Sequence, residues 1–159
     1  MTKILTMDMR ENPNYYTVDR PYKSKYICVK CRKAFKRRLL SDITDDKIEE
    51  KEPKCPDCGN LTSWIGPKFR PPKSDNLKAW NSISVLQDIG ALKFLGWASG
   101  TVVIPETKKS LLDMLTDMKK QSELAINQWT TMEYNESNKT QIKYFSDFIR
   151  RIDSHLKEL

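Results

Sequence analysis

At 159 residues, with 38% apolar and 31% charged side chains, the chain suffices for one ordinary domain or two small ones and has the composition of a soluble folded protein. Its formal charge of +7 is unevenly placed: residues 1–78 hold 18 Lys and Arg against 11 Asp and Glu, whereas residues 79–159 hold 10 of each. No stretch approaches the ~20 apolar residues of a membrane span and the first residues lack the apolar core of a signal peptide, so a membrane role is not expected and a cytoplasmic, reducing location is.

Residues 1–22 carry Asn12-Pro13-Asn14 and Tyr15-Tyr16 without helical or alternating apolar spacing. They read as an N-terminal arm that gains order by docking, its aromatics packing on the rest of the chain or reaching a partner.

The next stretch holds every cysteine. Cys28-Val29-Lys30-Cys31 and Cys55-Pro56-Asp57-Cys58-Gly59 are two C-x2-C pairs with 23 residues between them. Two residues between cysteines let a turn aim both sulfurs at one ion while backbone N–H groups bond to the thiolates, so Cys28, Cys31, Cys55 and Cys58 are expected to hold one structural Zn2+. Four thiolates leave no coordination position for water or substrate, which assigns the zinc to structure and not to chemistry. A redox dithiol is the rival reading, and two matched pairs argue against it. Gly59, just after the last ligand, suits a left-handed exit from the metal. Tyr26-Ile27 before the first pair and Ala34-Phe35 after it predict a β-hairpin with the cysteines at its tip, and the second pair should mirror it, returning through Leu61–Ile65. So small a ribbon buries too little to fold unaided and depends on its metal.

Two charge blocks of opposite sign separate the pairs. Lys30, Arg32, Lys33, Lys36, Arg37 and Arg38 form the basic one; Asp42, Asp45, Asp46, Glu49, Glu50 and Glu52 form the acidic one. Both read as solvated faces, the acidic one on a short capped helix, or the basic block contacts phosphates while the acidic block limits non-specific binding. Tyr26, Phe35, Trp64 and Phe69 interleave with these charges and suit either base stacking or a small aromatic core, with Phe69 the one expected to be exposed.

Gly66-Pro67-Lys68-Phe69-Arg70-Pro71-Pro72-Lys73 excludes helix and marks a boundary, and Lys68, Arg70 and Lys73 make it a candidate clamp on a nucleic-acid backbone. Ser74-Asp75 then caps a helix with Leu77, Trp80, Ile83, Leu86 and Ile89 at intervals of three and four, ending at Gly90. Leu92–Trp97 and Thr101–Ile104 predict a β-hairpin joined at Gly100. Pro105-Glu106-Thr107 opens a long helix with Leu111, Leu115, Met118, Ala125, Trp129 and Met132 on one stripe, interrupted by Ser122. After a turn over Asn135–Asn138, Ile142, Phe145, Ile149, Ile152 and Leu156 mark a last helix, and the two should form an antiparallel hairpin packed on the first.

Catalytic patterns are missing from the sequence. It contains neither G-x-x-x-x-G-K-[ST] nor G-x-G-x-x-G, H-E-x-x-H nor G-x-S-x-G. The single histidine, His155, reads as a surface or capping residue in the final turn. No catalytic residue and no small-molecule substrate is expected.

The motifs Cys28-x-x-Cys31 and Cys55-Pro56-x-Cys58-Gly59 resemble the zinc-ribbon superfamily over roughly residues 25–66. With the Pro-rich stretch and helical tail, the chain is similar to short bacterial zinc-ribbon proteins whose resemblance implies no function. The expected fold class is α+β, a small four-Cys zinc ribbon followed by a mainly helical domain with one β-hairpin and a C-terminal antiparallel helical hairpin. The division is arm 1–22, ribbon 23–66, Pro-rich basic linker 67–73 and helical domain 74–159. The expected function is non-catalytic binding of nucleic acid, RNA or a ribonucleoprotein over DNA because no major-groove recognition helix is marked, through Lys30, Arg32, Lys33, Lys36, Arg37, Arg38, Lys68, Arg70 and Lys73. The alternative is a protein-interaction adaptor or regulatory factor docking a protein partner through ribbon or helical hairpin.

Overall fold

The computed structural model describes residues 23–38, 52–92, 95 and 103–159. The fold is α+β: a three-stranded antiparallel sheet and three helices. Strands β1 (Lys23–Cys28) and β2 (Lys33–Arg38) form a hairpin, and β3 (Ser63–Ile65) pairs with the other edge of β1, giving the order β2-β1-β3. Helix α1 spans Leu77–Asp88, α2 Lys108–Thr131 and α3 Glu136–Glu158, the last two packed as a helical hairpin.

Side chains alternate across the pleat, so the register sorts β1 into two faces. Tyr26 lies opposite Phe35 on β2 and Trp64 on β3, forming an aromatic face, while Ile27 lies opposite Ala34 and Ser63 and faces the helices. Ile27 and Ile65 are fully buried in one cluster with Phe69, with Trp80, Ile83 and Leu86 of α1, Leu111 and Leu115 of α2, and Phe148 and Ile152 of α3. The intervals of three and four read from the sequence therefore face one shared core. Tyr26 is buried as expected, Phe35 and Trp64 are half-buried, and Phe69 is 4% exposed where exposure was expected. The cause lies in Lys25, whose Nζ donates to the carbonyls of Phe69 (2.6 Å) and Pro67 (3.1 Å) and draws this turn onto the sheet. Residues 67–73 have neither helix nor strand, as three prolines require, yet they are anchored at their far end too, where Trp80 Nε1 donates to the Lys73 carbonyl at 3.0 Å.

Helix α1 starts two residues later than Ser74-Asp75 suggested, because Asn76 is the cap: its side chain accepts from Ala79 N–H at 3.2 Å. Its other end is a Schellman turn, with Ala91 N–H donating to Leu86 and Gly90 N–H to Gln87. Gly90 holds φ +79° there. Arg151 Nε donates to the Ile89 carbonyl (3.1 Å), so α3 supplies a cation to the same helix terminus. His155 lies half-buried beside it, 3.8 Å from Asp88 of α1; the expected surface position overlooked a partner distant in sequence.

Leu92 enters a turn, its carbonyl accepting from Leu95 N–H, and Val103 and Ile104 are not in strand. The rest of the hairpin expected between them lies outside the described residues, as do the arm 1–22 and most of the acidic block. Helix α2 opens on a capping box in which Thr107 Oγ1 accepts from Ser110 N–H (3.1 Å) and Ser110 Oγ from Thr107 N–H (3.2 Å). Thr107→Ala should cost about 1 kcal/mol, read as a lower urea midpoint with unchanged slope. Ser122 is buried on the apolar stripe and bonds back to the Met118 carbonyl (2.8 Å), which satisfies its hydroxyl without a partner helix. Asn135 caps α3, so that helix already begins at Glu136, earlier than the expected turn allowed. No helix among the described residues is long and apolar enough to cross a membrane.

Candidate metal centre

The β1–β2 turn carries Cys28 and Cys31, and a second small turn carries Cys55 and Cys58. That second turn is closed by Thr62, which donates to the Pro53 carbonyl from both its N–H (3.2 Å) and its hydroxyl (2.6 Å), and by Cys55 N–H to Asn60 (2.8 Å). Each turn also uses its own N–H groups on sulfur. Cys31 N–H points at Cys28 Sγ (3.4 Å), and the N–H groups of Asp57 and Cys58 point at Cys55 Sγ. The residue after each second cysteine is left-handed, Arg32 at φ 55° and Gly59 at φ 72°. A Cβ at Gly59 would meet nothing within 4 Å, so glycine is needed there for its backbone angle alone. Arg32 adopts the same angle without that freedom, at a cost of roughly 1 kcal/mol.

All four sulfurs lie within 4.8 Å of one another, with Cys28 to Cys58 at 3.6 Å and Cys31 to Cys55 at 3.9 Å. Sulfurs bound tetrahedrally at ~2.3 Å stand ~3.8 Å apart, so the four positions fit a single ion, and they are far beyond the ~2.05 Å of a disulfide. The four cysteines therefore form a candidate metal site with no ligand position left over.

The thiols respond to one another in opposite senses. Burial pushes Cys28 above its ordinary value, and hydrogen bonding to Cys58, then burial, pushes Cys31 up to about 12. Burial works against the Cys55 thiolate too, but the N–H groups of Asp57 and Cys58, together with hydrogen bonds from the Cys28 and Cys58 thiols, outweigh it and bring Cys55 down to about 7. Lys33 and Asp57 join the two turns at 2.5 Å, and the bond raises Lys33. With side-chain exposures of 60% and 48% this pair is well screened by solvent and adds little; the sulfurs hold the turns together.

Lys30, Arg32, Lys33, Lys36, Arg37, Arg38, Lys68, Arg70 and Lys73 are all exposed, but the fold does not place them together. Lys30, Arg32 and Lys33 surround the first metal turn, and Lys33 is engaged by Asp57. On β2 the pleat divides the rest. Arg37 shares the aromatic face, 5.9 Å from the Phe35 ring centre, while Lys36 and Arg38 point to the face of Ile27. There the register sets Lys36 opposite Lys25 and Arg38 opposite Lys23. Lys23 and Lys25 were not among the expected contacts, although the alternation Lys23-x-Lys25 before Tyr26-Ile27 signals them once β1 is extended back to residue 23.

Comparison of the chain with protein families, with curated proteins and with solved structures finds no match.

Proposed function

We propose that this is a non-catalytic zinc protein that binds nucleic acid, RNA or a ribonucleoprotein over DNA, on the basic surface its metal centre holds in place. Zinc fits the donor set because a tetrahedral all-sulfur site suits zinc or an iron–sulfur cluster, and a cluster, carrying its own sulfides, holds its ligating sulfurs farther apart than 3.6 to 3.9 Å. One zinc per chain by elemental analysis is the expected stoichiometry.

The observation that carries the reading is the pairing of like charges across β1 and β2. Lys23 faces Arg38 and Lys25 faces Lys36, and cations directly opposite one another weaken a sheet. Among the described residues no carboxylate is paired with any of these four. Desolvation, and then the fields of Lys36 and Arg70, depress Lys25 below its ordinary value. A polyanion relieves this repulsion.

Binding of an RNA hairpin to the zinc-loaded chain, followed by fluorescence anisotropy between 50 and 200 mM salt, tests the proposal. Affinity should fall with salt, and converting Arg37 and Arg38 together to Glu should weaken binding at least about tenfold and flatten the log–log slope by at least about 0.7 to 0.9, the share of one phosphate contact. Absent binding, or binding indifferent to that change, would sink the reading.

A further inference from the structure

The nine candidate cations point in several directions, and the fold singles out a subset. Lys36 and Arg38 stand two residues apart on β2 and so project from one face, side by side with Lys25 and Lys23 of β1. On this face the core covers Ile27 and Ala34, and along β3 reaches Ile65 opposite Lys25; the remaining β1–β2 end carries the four cations. The 67–70 turn lies against that end. Lys25 fixes it by donating to two of its carbonyls, and this places exposed Arg70, distant in sequence, in the electrostatic neighbourhood of Lys25 and Lys36.

We infer that Lys36, Arg38 and Arg70 form one phosphate track, with Lys23 at its edge, and that Lys25 is the positioning residue that assembles it. The inference rests on the nucleic-acid reading above and says where the backbone lies. Phosphates cross the helix-side face of the sheet from β2, past Lys25 of β1, to the 67–70 turn. Arg37 on the aromatic face, and Lys30 and Arg32 at the metal turn, stay off the path. Lys25 spends two of its three donors on the Pro67 and Phe69 carbonyls, so its contribution is the placement of Arg70 and not a full phosphate contact.

The same anisotropy titration decides it, with a single-stranded uridine oligonucleotide beside the RNA hairpin, anionic lipid vesicles as a third probe, and zinc content checked for every variant. Lys36→Gln, Arg38→Gln and Arg70→Gln should each flatten the salt slope by about 0.7 to 0.9, while Arg37→Gln, Lys30→Gln and Arg32→Gln leave it unchanged. Lys25→Met should abolish the further effect of Arg70→Gln, and Lys25→Arg, which keeps donors for both carbonyls, should restore it; a general loss of structure would not give that pattern. If Lys25→Met loses its zinc, the other six variants decide. Slope changes at Arg37, Lys30 and Arg32 with none at Lys36, Arg38 and Arg70 overturn the track and leave nucleic-acid binding standing. A wild-type chain that binds neither nucleic acid, or only the vesicles, overturns the reading itself.

Discussion

Removing the metal should unfold the sheet before the helical hairpin. On titration with a strong chelator, the near-UV signal of Trp64 and Trp80 is expected to disappear ahead of the far-UV helical signal, because the three strands and the two cysteine turns bury few apolar side chains, chiefly Tyr26, Ile27 and Ile65, beside Cys28 and Cys55 themselves. Zinc binding supplies on the order of 10–16 kcal/mol to zinc-finger peptides, comparable with the roughly 5–15 kcal/mol that holds a whole ordinary domain together. Replacing Cys55 by Ser should act in the same direction without any chelator. The pH dependence has a definite sign. Every ligand must bind as thiolate, and once the sheet has unfolded the thiols return to the ordinary value of about 8.5 and are mostly protonated at neutral pH. Binding therefore expels at least about two protons, so affinity should rise at least about 100-fold per pH unit near neutrality and metal should be lost as pH falls. Competition with a chromophoric chelator at three pH values measures this. A helical signal that vanishes together with the tryptophan signal would mean that the two halves fold as one unit.

The sheet and the metal site were legible because they depend on local spacing. Two residues between cysteines, a β-prone pair on either side and a glycine after the last ligand leave few other arrangements, and the structure brings the four sulfurs together. The helices were legible through their apolar intervals, and their ends only partly. Asn76 displaced Ser74-Asp75 as the cap because the chain is still held in the turn fixed by Trp80 and Lys73. What the sequence could not display is pairing across distance. His155 meets Asp88, Arg151 meets Ile89 and Phe69 is drawn under Lys25, all through contacts 44 to 67 residues apart along the chain, so no window of local pattern contains them. The basic block suffered most from this. Read along the chain, Lys36, Arg37 and Arg38 are one charged run; across the sheet, Arg37 belongs to another face.

Trp80→Ala should cost about 3–5 kcal/mol in the zinc-loaded protein, measured as the fall in unfolding free energy in urea at fixed free zinc. Trp80 is 3% exposed in the first turn of α1 and shares the core with residues of the sheet and all three helices, so truncation opens a cavity where the layers meet. It also removes one of the two donors to the Lys73 carbonyl, which keeps the Asn76 N–H at 3.0 Å. Trp80→Phe separates the two effects, because it keeps most of the aromatic volume and loses the N–H; about 0.5–1.5 kcal/mol is expected, since Asn76 N–H still satisfies that carbonyl. Equal losses in the two variants would assign the cost to the hydrogen bond, and a loss below about 1 kcal/mol for the alanine variant would contradict a shared core. The pair also bears on the basic surface. Lys25 holds the 67–73 segment at Phe69 and Trp80 holds it at Lys73, so Trp80→Phe frees the Lys73 end alone. Arg70, fixed from the other side, should keep its share of the salt dependence in that variant.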